Sequence, residues 1–176
     1  RLMPTPGLFR EICALADQAR TQPRAQTDPS ALQLSKKRFW KMGQGTIGTE
    51  DDVYEDARDN GYIALGWGGT IDWSADRFSS FNAIHDEWIK QNPGNLTPSN
   101  WTQTYPFRCE MKPGDIVIVP YGNTAFRAIA EITGDYYFVP EAEGYYAHRR
   151  PVRWLLTLDE PLPLDTIIDG NFTMRT

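Results

Sequence analysis

The sequence predicts an α+β fold: a curved mixed sheet or small β-barrel flanked by helices. Two observations lead there. Helical spacing and helix caps fill the first half of the chain, whereas β-branched runs bounded by turn residues dominate the second. The strands do not alternate regularly with helices and no internal repeat is present, which argues against a doubly wound or solenoid fold.

The elements follow in order. Residues 8–20 (LFREICALADQAR) place Leu8, Ile12, Leu15, Ala16 and Ala19 at helical spacing. Residues 21–35 are polar, carry two prolines and read as a linker. Residues 1–35 are therefore an N-terminal helix and linker, as the end of a preceding region would be, and the main domain spans 36–176. The chain opens at Arg1 rather than a methionine, as a piece of a longer protein would. Arg38 to Met42 reads as a short strand and Gly43 to Gly48 as a loop. Thr49 with Asp52 forms a capping box and Gly61 a stop, predicting a helix over 50–60. Tyr62 to Gly66 is a buried strand running into the flexible corner Trp67-Gly68-Gly69. Ser74 is expected to cap a second helix, with Phe78, Phe81, Ile84 and Trp88 on its inner face. Thr97 and Pro98 open a shorter third one. Lys112-Pro113-Gly114-Asp115 is a turn, Ile116 to Val119 a strand, Tyr121 to Thr124 a turn, and Phe126 to Thr133 the return strand. Residues 139–147 read as a loop and Pro151 to Leu158 as the last long strand.

Composition narrows the function. At 176 residues the chain fits one domain with an appended segment. Its net charge of -5 argues against a protein that holds nucleic acid by phosphate neutralisation alone. Aromatics reach 12%, with six tryptophans, leaving a surplus for a stacking surface. Cys13 and Cys109 form neither a disulfide framework nor a metal motif and are read as reduced thiols. No run approaches the roughly 18 apolar residues of a membrane span and no signal peptide is read, so the expected location is cytoplasmic.

Candidate chemistry is sparse. Gly43-Gln44-Gly45-Thr46-Ile47-Gly48 matches G-x-G-x-x-G, but Glu50, Asp51 and Asp52 at the following helix start would repel a phosphate. There is no phosphate-binding loop with its lysine. His85-Asp86-Glu87 matches part of a zinc deaminase motif but has no P-C-x-x-C partner. No catalytic residue, metal or cofactor is expected. Trp67, at a strand end before two glycines, suits a pocket wall as well as a core. Trp73, beside Asp72, is a second candidate, whereas Trp40, Trp88 and Trp154 read as core. Alternation along Tyr136, Tyr137 and Phe138 must expose one face, so Tyr136 or Tyr137 is a further pocket candidate. Basic residues gather at Lys36, Lys37, Arg38 and Lys41, and again at His148, Arg149, Arg150 and Arg153. Neither stretch contains an acid, so both are candidate phosphate contacts.

Five phrases, RFWKMGQG, GYIALGW, MKPGDIVIV, AIAEITGDYYF and HRRPVRWL, stand in an order and spacing that resembles an EVE-type domain of the PUA superfamily, a relative of the YTH readers of methylated adenine. The glycine-aspartate turn and the HRRPVRW ending most resemble the N-terminal recognition domain of McrB-type, modification-dependent restriction proteins. The resemblance covers about residues 36–160. It implies a curved sheet with an aromatic cage that takes in one flipped base. Trp67 falls at the first cage tryptophan, and Lys41 to Gln44 (with Met42 and Gly43) at the segment that reads the base edge, next to Trp40, a further candidate for the base site. The second wall falls within Asp135 to Phe138, with Trp73 and Asp72 nearby in sequence to Trp67. The expected function is binding of methylated cytosine or N6-methyladenine in DNA, as the targeting module for a motor or nuclease on the same longer chain or a separate one. Two alternatives stay open: an RNA-binding module reading a methylated base, and a nucleotide-binding enzyme built on the glycine loop.

Overall fold

The computed structural model describes residues 37–142 and 146–163. The expected helix at 8–20, the linker and Lys36 lie outside the described residues. Twelve elements of regular structure fall within them. Six are strands: β1 (Phe39–Lys41), β2 (Tyr62–Leu65), β3 (Ile116–Tyr121), β4 (Ala125–Ile132), β5 (Tyr137–Phe138) and β6 (His148–Pro163). Three are α-helices: α1 (Asp51–Asn60), α2 (Phe81–Gln91) and α3 (Ser99–Thr102). Single helical turns cover Asp76–Phe78, Pro106–Glu110 and Pro140–Ala142. The fold is thus α+β, a strongly curled mixed sheet with helices against it.

The strands run in the order β1-β3-β4-β6-β2, with β5 alongside β6. β1 pairs with β3 in parallel and every other pair is antiparallel. Curling has a local cause. The register shifts at Val119/Pro120, at Phe126/Ala128 and at Ile129/Ala130, and each such irregularity bends a strand and adds twist. β6 carries the bend across the molecule: its start pairs with β2 and β5, and its remainder with β4.

The curl brings the two end strands, β1 and β2, together. Gln44, just past β1, is fully buried. Its side-chain amide donates to the Ala64 carbonyl (3.1 Å) and accepts from the Ala64 amide (2.8 Å). One side chain thus imitates the paired backbone bonds of a neighbouring strand and satisfies an edge that would otherwise be orphaned. Inside the curl, Ile63, Leu65, Val117, Val119, Ala128, Ala130, Ile132 and Val152 form the main core with Tyr54, Phe107 and Met111. Each large aliphatic residue buried there stabilises the fold by about 1.5–3 kcal/mol. A second core, of Ile71, Trp73, Phe78, Ile84 and Trp88, lies between α2 and the loop after β2.

Several expected details change. Thr49 does not cap α1: the N-cap is Glu50, with no side-chain cap bond. Ser80, not Ser74, caps α2, accepting from the Ala83 amide at 3.3 Å. The intervening residues form a separate turn that buries Phe78, so Phe81 begins α2 and stays 40% exposed. Thr97 gives way to Pro98 as the N-cap of α3. β6 is twice as long as the apolar pattern indicates because β2 and β5 supply partners for its basic start and β4 for its end at Leu162 and Pro163. β5, within the aromatic run, was not expected to pair. No described helix is long and apolar enough to cross a membrane.

Candidate functional site

All six tryptophans fall within the described residues, and Trp67 alone is exposed, at 40%. The backbone that presents it is rigid by construction. β2 ends at Leu65, and the chain then turns through Gly68 (φ 96°) and Gly69 (φ 61°), both in the region that favours glycine. A Cβ on Gly68 would stand 2.8 Å from Thr104 Oγ1 and 3.0 Å from both His148 Nε2 and Trp73 Nε1. A Cβ on Gly69 would stand 2.9 Å from the Trp88 ring. Gly68 and Gly69 therefore leave no room for a side chain.

Its polar groups are matched in turn. The Gly68 amide donates to Asn100 Oδ1 (3.3 Å), and Trp73 Nε1 donates to the Gly68 carbonyl (3.1 Å). His148 Nε2 meets the Gly69 carbonyl at 2.8 Å, and its Nδ1 meets the Tyr136 hydroxyl at 2.8 Å. A carbonyl can only accept, so Nε2 carries the proton and Nδ1 accepts from Tyr136. The Tyr136 oxygen in turn accepts from the Trp73 amide at 3.4 Å. Arg108 Nε donates to the Trp73 carbonyl (2.8 Å), and its guanidinium lies 5.8 Å from the Tyr136 ring centre. Behind this, the buried Arg150 donates to the carbonyls of Phe107 (2.6 Å), Arg108 (2.9 Å) and Gly134 (3.0 Å). Burial lowers its pKa to about 10, so it stays charged at neutral pH.

Burial also lowers the His148 pKa, while the Gly69 carbonyl and the Asp72 carboxylate pull the other way. Burial raises that of Tyr136. Both side chains are thereby held neutral, as the hydrogen-bond order requires. The unfolded chain then binds more protons than the folded one once pH falls below the ordinary histidine value of about 6.5. Stability attributable to His148 should be complete above that value and decline below it. Urea titrations at pH 7.5 and pH 5.0 should show a larger loss for wild type than for His148→Gln, by up to about 1.4 kcal/mol per pH unit. Equal losses would show that His148 is not the titrating group.

The strand-side wall is the segment after β1. Trp40 and Met42 pack on the inside of the curl, so Lys41 points to the other face, where burial lowers its pKa. The Gln44–Ala64 bonds bring Met42 to Gln44 beside the end of β2, three residues before Trp67. Gly43 is exposed, and a Cβ there would meet nothing within 4 Å. Two glycine-loop amides are engaged by nearby acids. Thr46 N donates to Glu50 Oε2 and Gly48 N to Asp51 Oδ2, each at 2.9 Å. Those carboxylates occupy the place a phosphate would take.

The structure sorts the expected site residues. Trp67, Asp72, Trp73, Tyr136 and His148 meet around the Gly68–Gly69 corner, with Met42, Gly43 and Gln44 at the adjoining sheet edge. Their roles divide. Asp72 is exposed, one oxygen accepting from the Ser74 amide at 2.8 Å. Trp73 is completely buried and braces the corner from behind, so it offers no ring face to a ligand. Tyr136 is a brace through its hydroxyl. Trp40 is engaged by Asp115, to which its Nε1 donates at 2.9 Å.

The phosphate candidates need the larger correction. His148 and Arg150, 1% exposed each, point into the core and bond to internal carbonyls. Lys37 pairs with Glu131, and Arg38 with Asp115 at 2.9 Å. Arg149, on the opposite face of β6 from its two neighbours, lies 4.0 Å over the Tyr62 ring, with the exposed Tyr137 as its cross-strand partner. Sequence reading missed Asn100, Thr104, Arg108 and Arg127. Nothing in the local pattern of an Asn or Thr in a short helix signals a partner on a glycine corner 32 residues away.

Among the described residues no group of three or more histidines, cysteines or acids is placed to hold a metal. No curated protein and no solved structure is significantly similar to the chain. A family model does match, over residues 40–176, a span that takes in all of the sheet but Phe39, with the Trp67 corner and its braces: the chain belongs to the family described as Domain of unknown function (DUF8426).

Proposed function

We propose that this protein is a reader of a modified base in DNA, methylated cytosine or N6-methyladenine, which stacks on Trp67 after leaving the duplex. The observation that carries the reading is that the one exposed tryptophan sits on a corner whose glycines and polar groups are fully engaged from behind. A backbone held from behind at Gly68 and Gly69 does not have to be ordered when a ligand arrives at Trp67. Stacking on it returns about 1–3 kcal/mol per base, comparable with the few kcal/mol that extraction from a duplex costs. The exposed Asp72 carboxylate supplies an acceptor for the base edge, and Gly43 is exposed with room beside its Cα, its carbonyl accepting from Gln44 Nε2. The order of the five phrases, similar to that of EVE-type domains and the McrB-type recognition domain, supports the same assignment.

The chain binds rather than catalyses in this reading. The acids Glu50 and Asp51 are engaged in holding the glycine loop, and His148 is fixed as a neutral brace. The module would deliver an attached or separate motor or nuclease to the marked site. The decisive experiment is an anisotropy panel of otherwise identical DNA and RNA oligonucleotides, each carrying one modified base. Preference for one modified DNA strand is expected. Equal affinity for modified and unmodified strands would overturn the assignment, and a preference for RNA would transfer it to RNA.

A further inference from the structure

We propose that Arg127 is the positioning residue of the base-reading segment, holding Met42 to Gln44 in place from the far side of the sheet. The inference rests on the reader assignment above and extends it to a residue that would not touch the ligand. Arg127 lies on β4 where the register shifts between Phe126 and Ala128, an irregularity that re-aims a side chain out of the regular alternation. It is 5% exposed. Its Nη2 donates to the Gln44 backbone carbonyl, and Nη1 lies 3.9 Å from Asp51 Oδ1. The guanidinium is sandwiched, 3.8 Å from the Tyr54 ring centre and 5.3 Å from that of Tyr121.

Gln44 is therefore held at two points. Its side chain is clipped to Ala64 on β2, and its carbonyl is held by Arg127 from β4. With that end fixed, the preceding Gly43 is exposed, its carbonyl accepting from Gln44 Nε2 at 2.8 Å and its Cα facing open space. Burying a guanidinium for packing alone would be wasteful. Arg127 Nε has no hydrogen-bond partner among the described residues, and an unsatisfied buried donor is a cost that a methionine or leucine on the same rings would not carry. The cost is consistent with a guanidinium kept for the Gln44 carbonyl. Lysine would not replace it, because a point charge cannot both stack flat on Tyr54 and reach that carbonyl.

The test compares wild type with Arg127→Met and Arg127→Lys. Each is titrated with duplexes carrying methylcytosine or N6-methyladenine and with their unmodified counterparts. The amide resonances of Gly43 and Gln44 are recorded alongside. Arg127→Met should lose about tenfold in the ratio of modified to unmodified affinity. The two resonances should shift, and those of the Trp67 corner should not. Arg127→Lys should lose about threefold in that ratio. If Arg127→Met does not fold, the lysine variant decides by the same ratio and resonances. A folded variant with moved resonances and an unchanged ratio, or with unmoved resonances, overturns the role of Arg127 and leaves the reader assignment standing. A wild type that prefers neither modified duplex overturns that assignment, and this role with it.

Discussion

Trp67→Ala is expected to abolish preference for the modified strand, lowering its affinity by about 5- to 150-fold, while the protein remains folded. Its exposure is the reason both halves hold together. A ring that is 40% exposed contributes little to the core, so its removal leaves the packing of Trp73, Trp88 and Tyr136 intact. Stacking of one base is worth about 1–3 kcal/mol, and every 1.4 kcal/mol is tenfold in affinity. The methyl group itself adds only roughly 0.8 kcal/mol when buried, so discrimination depends on the platform that places it. The measurement is the modified-to-unmodified affinity ratio, with circular dichroism as the control for folding. A folded variant with undiminished discrimination would remove Trp67 from the site.

Arg150→Leu is expected to have the largest effect on stability, a loss of at least about 3 kcal/mol. Leucine buries well, but it is shorter and donates nothing. The carbonyls of Phe107, Arg108 and Gly134 would all lose a buried donor at once, and each such orphan costs about 1–3 kcal/mol. The loss also loosens the turn that carries Arg108, and with it the brace on Trp73 and Tyr136. Urea denaturation should show the midpoint falling without a change in slope. Salt dependence of any nucleic-acid binding should be unaffected in a folded fraction, because Arg150 has no exposed donor to offer a phosphate. A variant of wild-type stability with a flattened salt dependence would reverse the assignment.

These two residues also show where reading the sequence succeeds and where it stops. Trp67 was legible because its evidence is local: a buried apolar strand, a large ring, then two glycines. The class of the fold was legible for the same reason, since apolar periodicity and turn residues are short-range patterns, although the N-caps fall on Glu50, Ser80 and Pro98 rather than on Thr49, Ser74 and Thr97. Arg150 was not. In the string HRRPVRW it is one of a run of cations, and a run of cations suggests a surface. Alternation along β6 turns Arg149 outward and takes His148 and Arg150 inward, where carbonyls distant in sequence receive them.

The sequence by itself determined the order of strands and helices, the glycine corner and the tryptophan at its edge, because each depends on residues within a few positions of one another. The tertiary structure alone decided which charges are available. Lys37 and Arg38 look unopposed in the chain, but the acids that neutralise them, Glu131 and Asp115, lie 94 and 77 residues away and arrive only when β3 and β4 pair beside β1. It also decided that Gln44 closes the sheet edge and that Arg127 holds Gln44, since the curl that brings β2 and β4 to the same residue is set by bulges whose effect is felt across the whole sheet. Local patterns can be read along the chain, but a partner brought by long-range pairing leaves no trace in the residues around either member.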